Sequence, residues 1–383
     1  MPGISASPRG DDSPHPPRLR RFSRRGDDPP HPPRPPRLRR FSPRGDDPPH
    51  PPRLRQLKAK LTGAAYALGW SVLCRIPEQT AAEAFRFVAD IAWRRQGPGV
   101  TVLEGNLRRV IGPDATGKEL RALSRQAMRS YARYWLEIFR LPVMSVDRIC
   151  AGMRETGHVE EMIGHLKAGR GVVVPLPHMG NWDQAAVWVI NRGAESFTTV
   201  MERLEPASVY ERFFAFREGL GMEVLPASGG ASPFGVLARR LRQGKLVALP
   251  SDRDVAGGGV EVDFFGERAL MMGGSAALAV QTGAALMPAT LWFDDDGWGV
   301  HIYEEIPVPA EGDRWQKATA MTQEVARRFE QGIREHPADW HMLQRVFVSD
   351  LDPARLSAAR AKVAARQRTA DKAQANDGAG AGP

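Results

Sequence analysis

His178 and Asp183 stand five positions apart in the stretch "VVVPLPHMGNWDQAAVWV", residues 172–189. An imidazole titrates near neutral pH, and a carboxylate beside it can fix its tautomer and stabilise its charged form. Such a pair can take a proton from an attacking hydroxyl. On one continuous helix a gap of five would put the two side chains on different faces. Across a turn, the aspartate can fold back onto the ring, leaving Nε2 as the base. The flanking residues favour a turn. "GVVVPLP" reads as a buried strand that Pro177 helps to end. Gly180 can adopt dihedrals closed to other residues. Asn181 suits a helix N-cap, and Asp183 falls in the first helical turn, where the helix dipole favours a carboxylate.

Further charged residues lie where other strands should end. "LVALPSDRDV" places Asp252, Arg253 and Asp254 just past a second apolar run. A local salt bridge in a polar loop is the plain reading of these three. Two carboxylates one residue apart could also hold Mg²⁺ or Mn²⁺ beside phosphates, as in nucleotide-sugar glycosyltransferases. Glu202 follows "SFTTVM", and Arg217 lies in "YERFFAFREGLG". Arginine forks suit phosphate oxygens. "GGSAA" at 273–277 lacks the last glycine of a serine nucleophile elbow, so no covalent serine is expected.

The elements that must position these groups follow from periodicity. Strands are expected near 171–176, 197–201, 222–226, 245–250 and 285–293. Helices are expected between them, near 182–191, 207–219, 233–242 and 274–282. Ser232-Pro233 suits the start of the third of these helices and Gly244 its stop. Before them come helices near 78–95, 117–140 and 157–168, and after them one near 313–335. The alternation predicts an α/β fold whose central sheet, largely parallel or mixed, is flanked by helices. Active groups should sit at the strands' C-terminal ends.

Composition sets the limits. Of 383 residues, 42% are hydrophobic, enough for a core, and two cysteines make no disulfide framework. The net charge of +9 is concentrated in residues 1–56, which carry 13 Arg against 6 Asp. Whole-chain basicity is therefore poor support for nucleic-acid binding, and no nucleic-acid partner is expected. Residues 1–56 repeat "RGDDPPHPPRLR"-like units and hold 16 of the 32 prolines. They read as a disordered tail, either a polybasic arm for anionic lipid or an inert extension. Residues 57–350 read as the folded domain and 351–383 as a second disordered tail. The helix expected over 57–77 has Tyr66 and Trp70 within an uncharged run from Leu61 to Cys74, flanked by Lys58, Lys60 and Arg75. That run is too short to span a bilayer but suits a membrane interface.

"PLPHMGNWDQAA" resembles the H-x4-D/E motif of the lysophospholipid acyltransferase superfamily. The resemblance is closer to the bacterial lipid A biosynthesis acyltransferase family, in particular its actinobacterial phosphatidylinositol mannoside branch. It continues through "GPGVTVLEGNLRRVIG", "FTTVMERLEP", "LVALPSDRD", "VEVDFFGERALMMGGSAALAVQTGAALMPA" and "DWHMLQRVF". It implies an acyltransferase-like fold and transfer of a long acyl chain, palmitoyl by expectation, from acyl-CoA to a mannose hydroxyl of the glycolipid. His178 would be the base, Asp183 its support and Asp252 an additional acid near the histidine, with Asp254 its competitor. Glu202, Arg217, Arg253 and Asp254 would serve substrate binding. Acyl-CoA is a substrate, so neither cofactor nor metal is expected. The enzyme would lie on the cytoplasmic face of the membrane as a peripheral protein. The rival readings are the metal-dependent glycosyltransferase using Asp252 and Asp254, and a non-catalytic lipid-binding protein. Phe264, Phe265, Leu270, Met271 and Met272 could line an acyl channel or simply pack the core; Ser275 could cap the next helix. Trp340 and His341 read as structural or pocket-lining.

Overall fold

The computed structural model describes residues 69–365, apart from 196, 203–210, 212–213, 216, 228–231, 255–256 and 355. The repeat tail and residues 57–68 of the expected interfacial helix lie outside the described residues. Residues 69–75 are helical.

A helical layer comes first. It contains α1 (Glu78–Arg94), α2 (Pro98–Ile111), α3 (Gly117–Arg140) and α4 (Val146–Gly152). Helix α3 starts on a reciprocal cap. Thr116 Oγ1 accepts from the Glu119 amide at 3.2 Å, and the Glu119 carboxylate accepts from the Thr116 amide at 2.7 Å. Helix α1 crosses α3, and buried Asp90 takes paired guanidinium bonds from Arg125 and Arg129.

The central sheet has the strand order β4-β3-β5-β2-β8 and every pairing in it is parallel. Its strands are β2 (Val172–Leu176), β3 (Phe197–Met201), β4 (Met222–Pro226), β5 (Leu246–Pro250) and β8 (Ala285–Leu286). β2 is buried along its whole length, as a sheet covered on both faces requires. Pro175 is tolerated in this central strand because β8 pairs only with Val172 and Val173, so the missing donor breaks no ladder bond on that side. Helices α5 (Val159–Lys167), α6 (Trp182–Arg192), α7 (Phe234–Arg242) and α8 (Gly274–Thr282) connect and cover the strands.

A second sheet joins β1 (Met153–Gly157), parallel to β10 (Trp298–Ile302), with β10 antiparallel to β9 (Ala289–Phe293). An antiparallel hairpin, β6 (Val260–Phe264) and β7 (Glu267–Met271), lies against α9 (Arg314–Glu335). The single strand expected over 285–293 is two strands in different sheets, because Met287-Pro288 ends the first pairing. Helices α2 and α4, strands β1 and β10 and the hairpin were not expected. The disordered tail expected from 351 is corrected in its first part: residues 353–354 and 356–365 are helical, Ala359 is buried and Arg360 pairs with Glu261. Residues 366–383 lie outside the described residues.

Candidate active site

His178 emerges past the C-terminal end of β2, and Asp252 past that of the adjacent strand β5. Parallel pairing thus delivers both to one edge. His178 Nδ1 lies 2.5 Å from Asp252 Oδ1, and the His178 amide donates to Asp252 Oδ2 at 2.9 Å. Trp340 Nε1 donates to the same Oδ2 at 2.9 Å. Asp252 is fully buried, while the His178 side chain keeps 20% exposure. Burial alone would raise the Asp252 pKa. The imidazole's charge and the bonds from His178 and Trp340 outweigh it, holding the carboxyl below its ordinary range. An ionised carboxylate can only accept, so Nδ1 carries the proton, and Nε2 is the nitrogen that can take another.

Asp183 is placed otherwise than expected. It is buried at the start of α6, and Arg217 grips it with two bonds, Nε to Oδ1 at 2.6 Å and Nη2 to Oδ2 at 2.9 Å. The carboxylate on the His178 ring is Asp252; Asp183 faces the guanidinium instead. The cap is as expected: Asn181 caps α6, its Oδ1 accepting from the Asp183 and Gln184 amides at 3.2 Å each. What differs is the partner, because Arg217, 34 positions away, takes both carboxylate oxygens of Asp183. Burial would lower the Arg217 pKa, but Asp183 more than compensates and the guanidinium is held further into its charged range. The Tyr134 hydroxyl accepts a bond from Arg217, and burial, then the Asp183 charge, pushes its pKa well up.

The turn is pinned from a distant part of the chain. The His341 amide donates to the His178 carbonyl at 2.8 Å and the Gly180 amide to the Asp339 carbonyl at 3.0 Å. Gly180 has φ +57°, and a Cβ there would lie 2.7 Å from the Leu291 carbonyl carbon. Glu137, reaching in from α3, accepts from Asn181 Nδ2 and Trp298 Nε1, each at 2.9 Å. Burial raises its pKa although Arg133 opposes this. Trp182 meets the His178 ring edge-on at 5.7 Å between centroids.

His341 is buried. Its Nε2 lies 2.8 Å from Ser130 Oγ, which donates to Asp339 Oδ1 at 2.6 Å. Burial, then repulsion from His178, lowers the His341 pKa to about 3. A ring neutral at working pH, with its amide bonded to the His178 carbonyl, is a support for the turn.

The other residues singled out in the sequence are distributed around this pair. Arg253 bonds Gln344 and lies 3.4 Å from Glu202 across the strand ends. Asp254 accepts from the Gly257 and Gly258 amides at 2.9 Å each, closing its own loop. Asp252 and Asp254 therefore face different partners. Phe264, Phe265, Leu270 and Met271 are buried in the core; Phe264 stacks on Phe347 and meets Trp340 edge-on. Ser275 does not cap α8, whose N-cap is Gly273; its hydroxyl bonds Ser251 at 3.0 Å. Sequence reasoning missed Tyr134, Glu137 and Ser130. Their only signal was a shared side of α3, at i, i+4 and i+7.

The arrangement can bind an alcohol proton at Nε2 and hold the resulting imidazolium against Asp252. Residues 48–349 match the model of the family described as bacterial lipid A biosynthesis acyltransferase. A Mycolicibacterium smegmatis protein named phosphatidylinositol mannoside acyltransferase is 44% identical over 301 residues, covering 78% of this chain and 95% of its own. A Mycobacterium tuberculosis protein of the same name is 45% identical over 305 residues, covering 79% and 93%. On the family match and on relatives at this identity across nearly their whole length, the chain belongs to the bacterial lipid A biosynthesis acyltransferase family.

Proposed function

We propose that this protein transfers a fatty acyl chain, palmitoyl by preference, from acyl-CoA to a mannose hydroxyl of phosphatidylinositol mannosides. The observation that carries the mechanism is the 2.5 Å contact between His178 Nδ1 and Asp252 Oδ1 at the adjoining ends of β2 and β5. The sugar hydroxyl attacks the thioester carbonyl while His178 Nε2 takes its proton. The new C–O bond forms, the C–S bond breaks, and coenzyme A leaves as a thiolate that recovers the proton. Asp252 holds the ring and stabilises its charged form. Such a base typically contributes about 10²–10⁴ in rate. Asp183 acts at one remove, by anchoring Arg217 beside α6. Arg253 at the strand ends is the cation offered to headgroup and coenzyme phosphates, Glu202 beside it can accept from sugar hydroxyls, and Arg217 lies behind them on Asp183. The names of the two relatives support the glycolipid acceptor.

The enzyme works as a peripheral protein on the cytoplasmic face of the membrane. Among the described residues no helix is long and apolar enough to cross a bilayer. Phe87 and Val88 are adjacent on α1 and 64% and 63% exposed, an apolar pair available to an interface. The test is transfer from radiolabelled palmitoyl-CoA to a panel of phosphatidylinositol mannosides, with and without EDTA. Label is expected in the glycolipid under both conditions. Label released only as free fatty acid would make the protein a hydrolase, and loss of transfer in EDTA by wild type and by His165→Ala alike would favour a metal mechanism.

A further inference from the structure

At the other end of β2 from His178, three side chains converge without any part in acyl transfer. Glu161 and His165 lie four residues apart on α5, so they share a helix face. Glu305 follows β10. His165 Nε2 lies 3.4 Å from Glu305 Oε2 and 3.7 Å from Glu161 Oε1. All three ligand atoms fall within 4.8 Å of one another. Nε2 is shielded from solvent yet makes no hydrogen bond of normal geometry. A ring nitrogen set between two carboxylates, with no hydrogen bond of proper angle to either, is placed as a ligand to a third body would be.

We propose that Glu161, His165 and Glu305 bind a transition-metal dication of the zinc class, tying α5 to the segment after β10. Zinc sits about 2.0–2.2 Å from nitrogen and oxygen ligands, so tetrahedral ligands lie about 3.3–3.6 Å apart. The two distances to Nε2 are close to that edge. One imidazole with two carboxylates suits zinc better than calcium or magnesium, which prefer oxygen alone. Each carboxylate also has a further partner that orients it, as metal ligands do. His158 Nδ1 lies 2.7 Å from Glu161 Oε2, and Arg170 grips Glu305 through both Nη atoms. With His165 neutral, the two glutamates and Arg170 leave one net negative charge for the cation to meet. His165 also lies in the last turn of α5, where the helix dipole favours positive charge.

The full-length protein, stripped with EDTA, is dialysed against ZnCl₂ and its zinc counted by mass spectrometry beside His165→Ala and Glu161→Gln. Binding by histidines of the N-terminal repeats and by the two cysteines is common to all three and cancels. Wild type should hold one equivalent more than either variant. With CoCl₂ it should show the intense visible absorption of a tetrahedral site, which the variants lack. Melting temperatures in EDTA establish that the variants fold; should His165→Ala fail to, Glu161→Gln, on an exposed residue, carries the comparison. Equal zinc content in wild type and the folded variants overturns the proposal. Acyl transfer is not its readout, so its failure leaves the His178 mechanism untouched.

Discussion

Replacing Asp183 by Asn separates the two roles that its place in the sequence permits. Its carboxylate and the Arg217 guanidinium are only 2% and 13% exposed. Removing the anion leaves a buried cation whose remaining partners among the described residues are neutral, the Tyr134 hydroxyl and the Met201 sulfur. Breaking a buried pair from one side costs about 3–5 kcal/mol, because the surviving charge keeps its desolvation penalty. At roughly 2 °C per kcal/mol for a domain of this size, Asp183→Asn should melt about 6–10 °C lower. The double variant Asp183→Asn/Arg217→Gln removes both charges and should recover at least half of that loss. Calorimetry and urea unfolding followed by tryptophan fluorescence provide the measurement. If Asp183→Asn melts with wild type while its kcat collapses, the aspartate serves the imidazole directly and the assignment made here is refuted.

Asp252→Asn removes the acceptor that keeps the proton on Nδ1 but preserves shape. Its kcat should fall about 10²–10⁴ with the melting temperature nearly unchanged; a kcat within tenfold of wild type would count against the pairing. His341 supplies a pH signature. Its folded pKa, about 3, lies below the ordinary value near 6.5, so between the two the unfolded chain binds a proton that the folded chain does not. Stability must therefore fall as pH falls, by about 2 kcal/mol between pH 7 and pH 5 from this group. Urea unfolding should show that component in wild type and not in His341→Asn; identical slopes would remove the buried neutral ring. Gly180→Ala forces a side chain into positive φ and against Leu291, and should cost about 2–4 kcal/mol. Thermal melting checks this, and wild-type stability would mean that the turn yields more easily than its packing implies.

How far the site was legible depends on how far apart its parts lie in the chain. His178, Gly180 and the Asn181 cap were readable because one strand-turn-helix unit contains them. Asp252 stood out as an acid past a strand, but its contact with His178 arises from β2 lying beside β5, which no local pattern reveals. Asp183 pairs otherwise than expected for the converse reason: five residues look close, yet a guanidinium 34 positions away, Arg217, takes its carboxylate. Pinning of the turn by residues 339–341 is likewise a long-range pairing. In the fold, the βα alternation from 171 to 282 showed clearly. Strands β1, β10 and the β6–β7 hairpin did not: β1 is mostly exposed, Glu261 and Asp263 interrupt β6, Glu267 and Arg268 open β7, and Gly299 and His301 break the apolar run of the otherwise buried β10. Met287-Pro288 hid a boundary between two sheets inside one apolar stretch.

The central claim is that His178 Nε2 removes the proton from the attacking hydroxyl. Its most direct test is single-turnover transfer from radiolabelled palmitoyl-CoA to phosphatidylinositol mannoside by wild type and His178→Ala at matched, saturating substrate. The variant should bind both substrates and transfer about 10²–10⁴ times more slowly. A variant that transfers at the wild-type rate would contradict the account.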